Sequence, residues 1–292
     1  MSEESVQEGG KIRRVEEIHD KDNDCFQADE LENDQEEEEK VNFEWLHLSD
    51  GEDDDYEVDP NNIDETVGEI TTDSGETTKV APRYYDWKKV FPELKIIEDN
   101  FKVIQRELVT LMESREWTPW PEERLYNGPQ QSGQWKVIPL LYTFPAYDES
   151  SSKWITSNNK LCPKTTELLK KIPNIRTALF SRLGGTTRLS QHQGWADLAN
   201  YVLRCHLPLI VPQPEANLCG MWVEGHVQYH KPGKLLVFDD SKHHKAFNAS
   251  DQDRMVLIFD ILRPKKIPKG LATGGHTEHL DQFISSFQAL QT

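Results

Sequence analysis

Tyr201-Val202-Leu203-Arg204-Cys205-His206-Leu207-Pro208-Leu209-Ile210-Val211 is the stretch on which the fold turns. It is almost wholly apolar, and Arg204 and His206 alternate with Leu203, Cys205 and Leu207. Successive side chains of a strand point to opposite faces, so this period of two predicts a strand with both polar groups on one face. Shorter runs of the same kind lie on either side: Thr177–Ser181, Met221–Val223, Lys234–Phe238 and Met255–Ile261. Turn signals separate them, namely Gly184-Gly185, Pro212 to Asn217, Pro232-Gly233 and Asn248 to Asp253. Many short strands at this spacing predict a sandwich or barrel. Leu207–Val211 and Leu235–Phe238 are apolar on nearly consecutive residues, as in strands covered on both faces. The expected fold is mainly β, a cupin-like jelly roll with helices packed outside it.

Three helices are expected around that roll. From Glu93 to Glu113, Leu94, Ile97, Phe101, Ile104, Leu108 and Leu111 recur at steps of three and four, the stripe of an amphipathic helix. A shorter helix is expected over Lys164–Ile172, with Pro163 at its start, where a missing N–H costs little. Leu280, Phe283, Ile284, Phe287 and Leu290 suggest a third.

Charge divides the chain. The net charge of −18 is carried by residues 1–80, which hold 29 Asp/Glu and 6 Lys/Arg; the rest hold 22 and 27. A segment so acidic and so poor in aliphatic residues cannot offset its ordering entropy, and residues 1–82 are expected to stay disordered. Within it, Phe43-Glu44-Trp45-Leu46 reads equally as a short binding motif or as incidental aromatics. Three units are then expected: this tail, a folded domain over 83–268, and a C-terminal segment over 269–292 containing the third helix. The folded part is only slightly basic, which argues against a nucleic-acid partner. No apolar run approaches a membrane span, and Met1 to Gly10 lacks a secretory core. Cys25, Cys162, Cys205 and Cys219 form no CxxC pair. Together these features lead us to expect reduced thiols and a cytoplasmic or nuclear location.

Most of the ten histidines need no special role. His226 and His230 precede Lys231-Pro232-Gly233 in a strand-and-turn region, where a spacing of four does not align ligands. His276 and His279 are expected to face solvent. His192 and His244 are placed differently, each beside a turn at the rim of the roll. Two neutral imidazoles there could share one Fe(II). Arg254, beside the apolar run Met255–Phe259, needs an anionic partner if buried. Spacing alone still favours ordinary paired polar residues over a ligand site.

The run Ser181…His192-Gln193-Gly194…Leu203-Arg204-Cys205-His206-Leu207…Val211-Pro212 resembles the aspartyl/asparaginyl β-hydroxylase family. So does Gly233-Lys234-Leu235-Leu236-Val237-Phe238-Asp239-Asp240-Ser241…His244, followed by Arg254. The likeness extends to Cys162-Pro163-Lys164-Thr165, the Trp135 region and Phe91-Pro92-Glu93-Leu94, and covers roughly residues 83–268. Several coupled motifs in one order are more specific than any single histidine.

The resemblance implies an Fe(II)- and 2-oxoglutarate-dependent dioxygenase on a double-stranded β-helix. It uses O₂ to hydroxylate a peptidyl Asp or Asn at its β-carbon, or a similar side chain, with release of succinate and CO₂. By that resemblance His192 and His244 are the catalytic, metal-binding pair. Arg254 with Ser181 would hold the distal carboxylate of 2-oxoglutarate, and Arg204 with His206 the carboxylate nearer the metal. A dicarboxylate needs charge-assisted donors at both ends, and Arg offers a planar fork. Such oxygenases usually carry a carboxylate two residues after the first histidine; here Gly194 stands there, as in the resembled family. Asp197 is an outside candidate for a third ligand, at the wrong spacing. The expected partner is a protein or peptide substrate containing Asp or Asn. The competing reading is a non-catalytic jelly-roll interaction protein that recruits partners through its acidic tail. A zinc hydrolase fits poorly, because no HExxH-like helix supplies a base.

Overall fold

The computed structural model describes residues 68–71, 75, 77–114, 116–128 and 131–289. The Phe43–Leu46 cluster and most of the acidic segment lie outside these residues. The chain opens with a hairpin of β1 (Gly68–Thr71) and β2 (Thr77–Val80). It falls inside the stretch expected to lack order, so regular structure starts earlier than charge and composition suggested.

Helices α1 (Trp87–Val90), α2 (Lys95–Asp99) and α3 (Phe101–Ser114) follow. The single helix expected over 93–113 is interrupted at Asn100, whose side-chain amide donates to the Ile96 carbonyl. Its stripe survives the break: Leu94, Ile97, Ile104, Leu108 and Leu111 are buried, and Phe101 is partly so. Short pairs β3 (Thr118–Pro119), β4 (Asn127–Gly128) and β5 (Gln131–Ser132) lead to the long β6 (Trp135–Tyr142) and to β7 (Lys153–Trp154). Then come α4 (Thr156–Asn159) and α5 (Pro163–Lys170). Cys162 makes no side-chain cap for α5; instead Glu107 of α3 accepts from the Lys164 and Thr165 amides at 2.9 and 2.7 Å. A carboxylate on the free N–H groups of a helix start docks the two helices together.

The remaining strands are β8 (Ile175–Leu183), β9 (Thr187–Arg188), β10 (Val202–Ile210) and β11 (Cys219–Val223). They continue as β12 (His226–Tyr229), β13 (Leu236–Phe238), β14 (His244–Asn248) and β15 (Arg254–Leu262). Helix α6 (Ala196–Ala199) joins β9 to β10, and α7 (Glu278–Ala289) closes the described chain. All strand pairs are antiparallel. The larger sheet runs β13-β10-β15-β8-β6-β3, with β7 on β6, and the smaller runs β12-β11-β14-β9. The eight strands β8 to β15 thus fill two four-strand layers, β13-β10-β15-β8 and β12-β11-β14-β9, with consecutive strands alternating between layers except at the β11–β12 hairpin. This is the double-stranded β-helix, or jelly roll.

The period-two pattern sorts side chains in the larger sheet. Leu203, Cys205, Leu207 and Leu209 of β10 join Leu257, Phe259 and Phe180 in a buried cluster that also contains the apolar stripes of α2, α3 and α5. The opposite face carries Arg204 and His206 of β10, Arg254 and Ile258 of β15, and Ser181 of β8, all around one cavity. Pro208 lies at the register shift between β10 and β15, beyond the last pair with β13, so its missing N–H removes little from the ladder. Among the described residues no helix is long and apolar enough to cross a membrane.

Candidate active site

His244 is the first residue of β14, and His192 lies between β9 and α6. An isolated antiparallel bridge joins them: His192 N donates to His244 O at 3.1 Å and His244 N to His192 O at 2.9 Å. The bridge brings the imidazoles side by side, with ring centroids 4.3 Å apart. Each ring is oriented from behind, His192 Nδ1 lying 2.7 Å from the Ser190 carbonyl and His244 Nδ1 2.9 Å from the Lys242 carbonyl. A carbonyl can only accept, so both protons sit on Nδ1 and both Nε2 atoms keep free lone pairs. Burial pushes His192 down to about 4 and His244 well below its ordinary value. Two neutral imidazoles with fixed tautomers are suited to a divalent transition metal.

Around the same cavity stand Ser181, Arg204, His206 and Arg254. The six residues singled out from the sequence therefore converge from β8, β10, β14, β15 and the His192 loop. Arg254 is 2 % exposed, yet its Nε and Nη1 atoms have no hydrogen-bond partner. Burial pushes the guanidinium down to about 10, which leaves it cationic at neutral pH. Ser181, on the neighbouring strand, accepts from Trp135 Nε1 at 3.0 Å, which leaves its own proton free to donate.

Arg204 is held differently. It grips Asp260 with Nε and Nη2 at 2.9 and 3.0 Å, and Nη1 lies 2.5 Å from Asp240. Two of its five N–H groups remain for a ligand. Asp240 is fully buried, with Oδ1 3.5 Å from His244 Nε2 and Oδ2 without a hydrogen-bond partner. Burial pushes this carboxyl up to about 7, assisted by Asp260 and Asp239 and opposed by Arg204.

Gly194 has a steric reason to lack a side chain. A Cβ there would overlap Asp240 Oδ2 and come within 2.7 Å of the Ala199 methyl. Asp240 thus fills, from the other side, the space that a side chain at position 194 would take. Among the described residues no three His, Cys, Asp or Glu side chains form a metal cage. Asp197 takes another part, its carboxylate lying 3.0 Å from His276 Nε2. Gly194→Asp should therefore destabilise the fold by about 1–3 kcal/mol through overpacking, without tightening any metal at the two imidazoles. Urea midpoints and titration with a divalent transition metal read both effects; an unchanged midpoint with tighter metal binding would contradict this packing.

The outer part of the cavity is aromatic. Trp120 stacks on Trp135 with centroids 4.5 Å apart and on Trp195 at 5.8 Å, and Phe283 of α7 tilts onto Trp120 at 5.9 Å. Leu125, Leu179 and Ile258 add apolar surface, and Glu122 and Gln193 add polar groups. His276, expected in solvent, instead packs edge-on against Phe144 and Trp195.

Sequence reasoning gave no site role to five residues of this region. Asp260 had a signal, a lone carboxylate within an apolar strand, on the same face as Ile258, Val256 and Arg254 at successive steps of two. Asp240 lay hidden in what reads as a polar corner. His230, set aside beside a turn, is 1 % exposed, with Nε2 3.4 Å from His206 Nδ1. The Trp120–Trp195 stack joins residues far apart in sequence and carried no local signal.

Residues 98–264 match the family model described as aspartyl/asparaginyl beta-hydroxylase. The chain is 33 % identical over 189 residues to an ornithine lipid ester-linked acyl 2-hydroxylase of Rhizobium tropici, covering 64 % of this chain and 63 % of that protein. It is 30 % identical to aspartate beta-hydroxylase domain-containing protein 2 of Homo sapiens, covering 59 % of this chain and 45 % of that one. Human aspartyl/asparaginyl beta-hydroxylase is 25 % identical, with coverage of 65 % and 24 %. The chain thus spans less than two thirds of each of these relatives. A solved oxidoreductase of the 2OG-Fe(II) oxygenase family from Burkholderia pseudomallei overlaps 56 % of this chain and 81 % of its own, at 13 % identity and a TM-score of 0.38.

Proposed function

Because the chain belongs to the aspartyl/asparaginyl β-hydroxylase family, we propose that it is an Fe(II)- and 2-oxoglutarate-dependent oxygenase that hydroxylates an unactivated carbon. One observation carries the reading: the buried Arg254 guanidinium presents two unpartnered nitrogens at the wall of a cavity shared with the His192–His244 pair. A buried cation without an anion is very costly, so this pocket is built for a carboxylate that comes from outside.

The residues present fit both groups. His192 and His244 offer Nε2 lone pairs to iron, and their Nδ1 bonds keep the rings from turning. Arg254 and the free Ser181 hydroxyl would take the distal carboxylate of 2-oxoglutarate, while His206 and the spare N–H groups of Arg204 would take the one nearer the metal. Iron and 2-oxoglutarate, when bound, supply the oxygen-activating chemistry, in which 2-oxoglutarate becomes succinate and CO₂ as the substrate gains a hydroxyl group. The protein's contribution is alignment and a site shielded from water. Asp260 and Asp240 fix the Arg204 guanidinium from two sides, and Trp135 fixes Ser181.

The β-carbon of a peptidyl Asp or Asn is the substrate that family membership favours. The aromatic outer cavity favours a second reading, an apolar carbon such as that of an acyl chain. Arg204 is the cation along its lining, and three of its N–H groups already serve Asp240 and Asp260. A substrate carboxylate would have to compete for the remainder. The Rhizobium tropici relative is named for hydroxylating an ester-linked acyl group.

The test uses the full chain with Fe(II), 2-oxoglutarate and O₂, offered Asp/Asn peptides in one arm and lipid extract in the other. Succinate should form with gain of one oxygen atom in one arm, which also decides between the substrates. A chain that binds Fe(II) and 2-oxoglutarate but yields no succinate in either arm would favour the scaffold reading.

A further inference from the structure

His230 is not itself among the residues that line the cavity, yet it lies buried directly behind His206, which is. The two rings are 5.6 Å apart, and His230 Nε2 stands 3.4 Å from His206 Nδ1. The backbone anchors the residue, its N–H donating to the Cys219 carbonyl at 2.8 Å. His230 Nδ1 is buried without a hydrogen-bond partner. Burial holds both imidazoles well below their ordinary values, so each carries one ring proton.

Two arrangements of those protons are possible. If His206 Nδ1–H donates to His230 Nε2, the His230 proton must sit on Nδ1, a buried donor with nothing to receive it. His206 would then show the cavity only a lone pair, which repels a carboxylate. If His230 Nε2–H donates to His206 Nδ1, His230 Nδ1 is a bare lone pair and His206 carries its proton on Nε2. An orphaned N–H is the rarer and costlier defect. The second arrangement, which leaves no buried N–H of His230 orphaned, is the favoured one.

We infer that His230 is a positioning residue which, by donating to His206 Nδ1, fixes His206 as an Nε2–H donor for the metal-proximal carboxylate of a 2-oxo dicarboxylate. The inference rests on the oxygenase reading for the ligand, but the tautomer itself belongs to the ligand-free chain. It also gives this site a neutral donor where Arg204 is already engaged by two aspartates.

Long-range ¹H–¹⁵N correlations of the histidine rings read the tautomer in the metal-free full chain. In the wild type, His206 should be protonated on Nε2. In His230→Phe, which keeps a flat ring but no donor, the Nδ1 form should appear. His230→Gln, which keeps an N–H donor, should stay close to the wild type and guards against a variant that merely misfolds. With Zn(II) in place of iron, calorimetric 2-oxoglutarate affinity should fall roughly 10-fold to 100-fold in His230→Phe, the scale for losing an outer-shell partner, and much less in His230→Gln. A wild-type His206 protonated on Nδ1, or equal affinities in wild type and His230→Phe, would overturn the inference. A wild type with His206 protonated on Nε2 that holds no 2-oxoglutarate would instead overturn the oxygenase reading, and with it the ligand assigned to His206.

Discussion

His244→Ala is expected to reduce Fe(II)-dependent conversion of 2-oxoglutarate to succinate to the level of a protein-free control. On the proposed assignment, with Gly194 in place of a carboxylate, iron would have two protein ligands, and removing one would halve the set. The effect is then loss of the metal rather than a slower reaction, and raising 2-oxoglutarate should not restore it. The jelly roll should persist. The substitution removes one buried ring and its bond to the Lys242 carbonyl, while the backbone bridge to His192 remains. A stability loss of about 1–3 kcal/mol is expected for such a change, readable as a lower urea midpoint with an unaltered circular-dichroism spectrum. Succinate formation at the wild-type rate would refute the metal assignment.

Arg254→Met should separate stability from binding. Removing one partner of a buried ion pair costs about 3–5 kcal/mol, so half-saturation with 2-oxoglutarate should rise by about 10²-fold or more. Turnover should return in part at very high 2-oxoglutarate, unlike the His244 variant. The effect on the ligand-free chain has the opposite sign. There the guanidinium has two buried nitrogens without partners, and a methionine of similar length removes that cost while filling the space. The ligand-free variant should unfold at an equal or higher urea concentration than the wild type. An unaltered 2-oxoglutarate requirement would place the dicarboxylate elsewhere.

The sequence disclosed the roll where strands are apolar and long. Runs around β8, β10 and β15 fell within a few residues of the observed strands, because burial on two faces leaves a continuous apolar signature. The strand that carries His244 was not visible. His244-Lys245-Ala246-Phe247-Asn248 is half polar, and its pairing with β11 and β9 comes from distant residues. β6 was noticed only through family likeness for a different reason: its run is apolar and buried, but Pro139 inside it argues against a strand when read locally. At the site, period-two reasoning placed Arg204 and His206 on one face, and that face lines the cavity. What converges from separate strands was not legible locally: the Asp240 carboxylate against Gly194, Asp260 beneath Arg204, and His230 behind His206. Charge and composition also missed the β1–β2 hairpin, since backbone pairing needs little apolar surface to form a short ladder.

Anaerobic titration of the full chain with Fe(II) and 2-oxoglutarate tests the central claim most directly, since it needs neither the substrate nor turnover. Two imidazoles, an iron and a chelating 2-oxo acid should give a weak visible charge-transfer band that saturates at about one 2-oxoglutarate per chain. The band should be missing from His244→Ala and should need far more 2-oxoglutarate in Arg254→Met. A folded wild-type chain that shows no band with both components in excess would contradict the account.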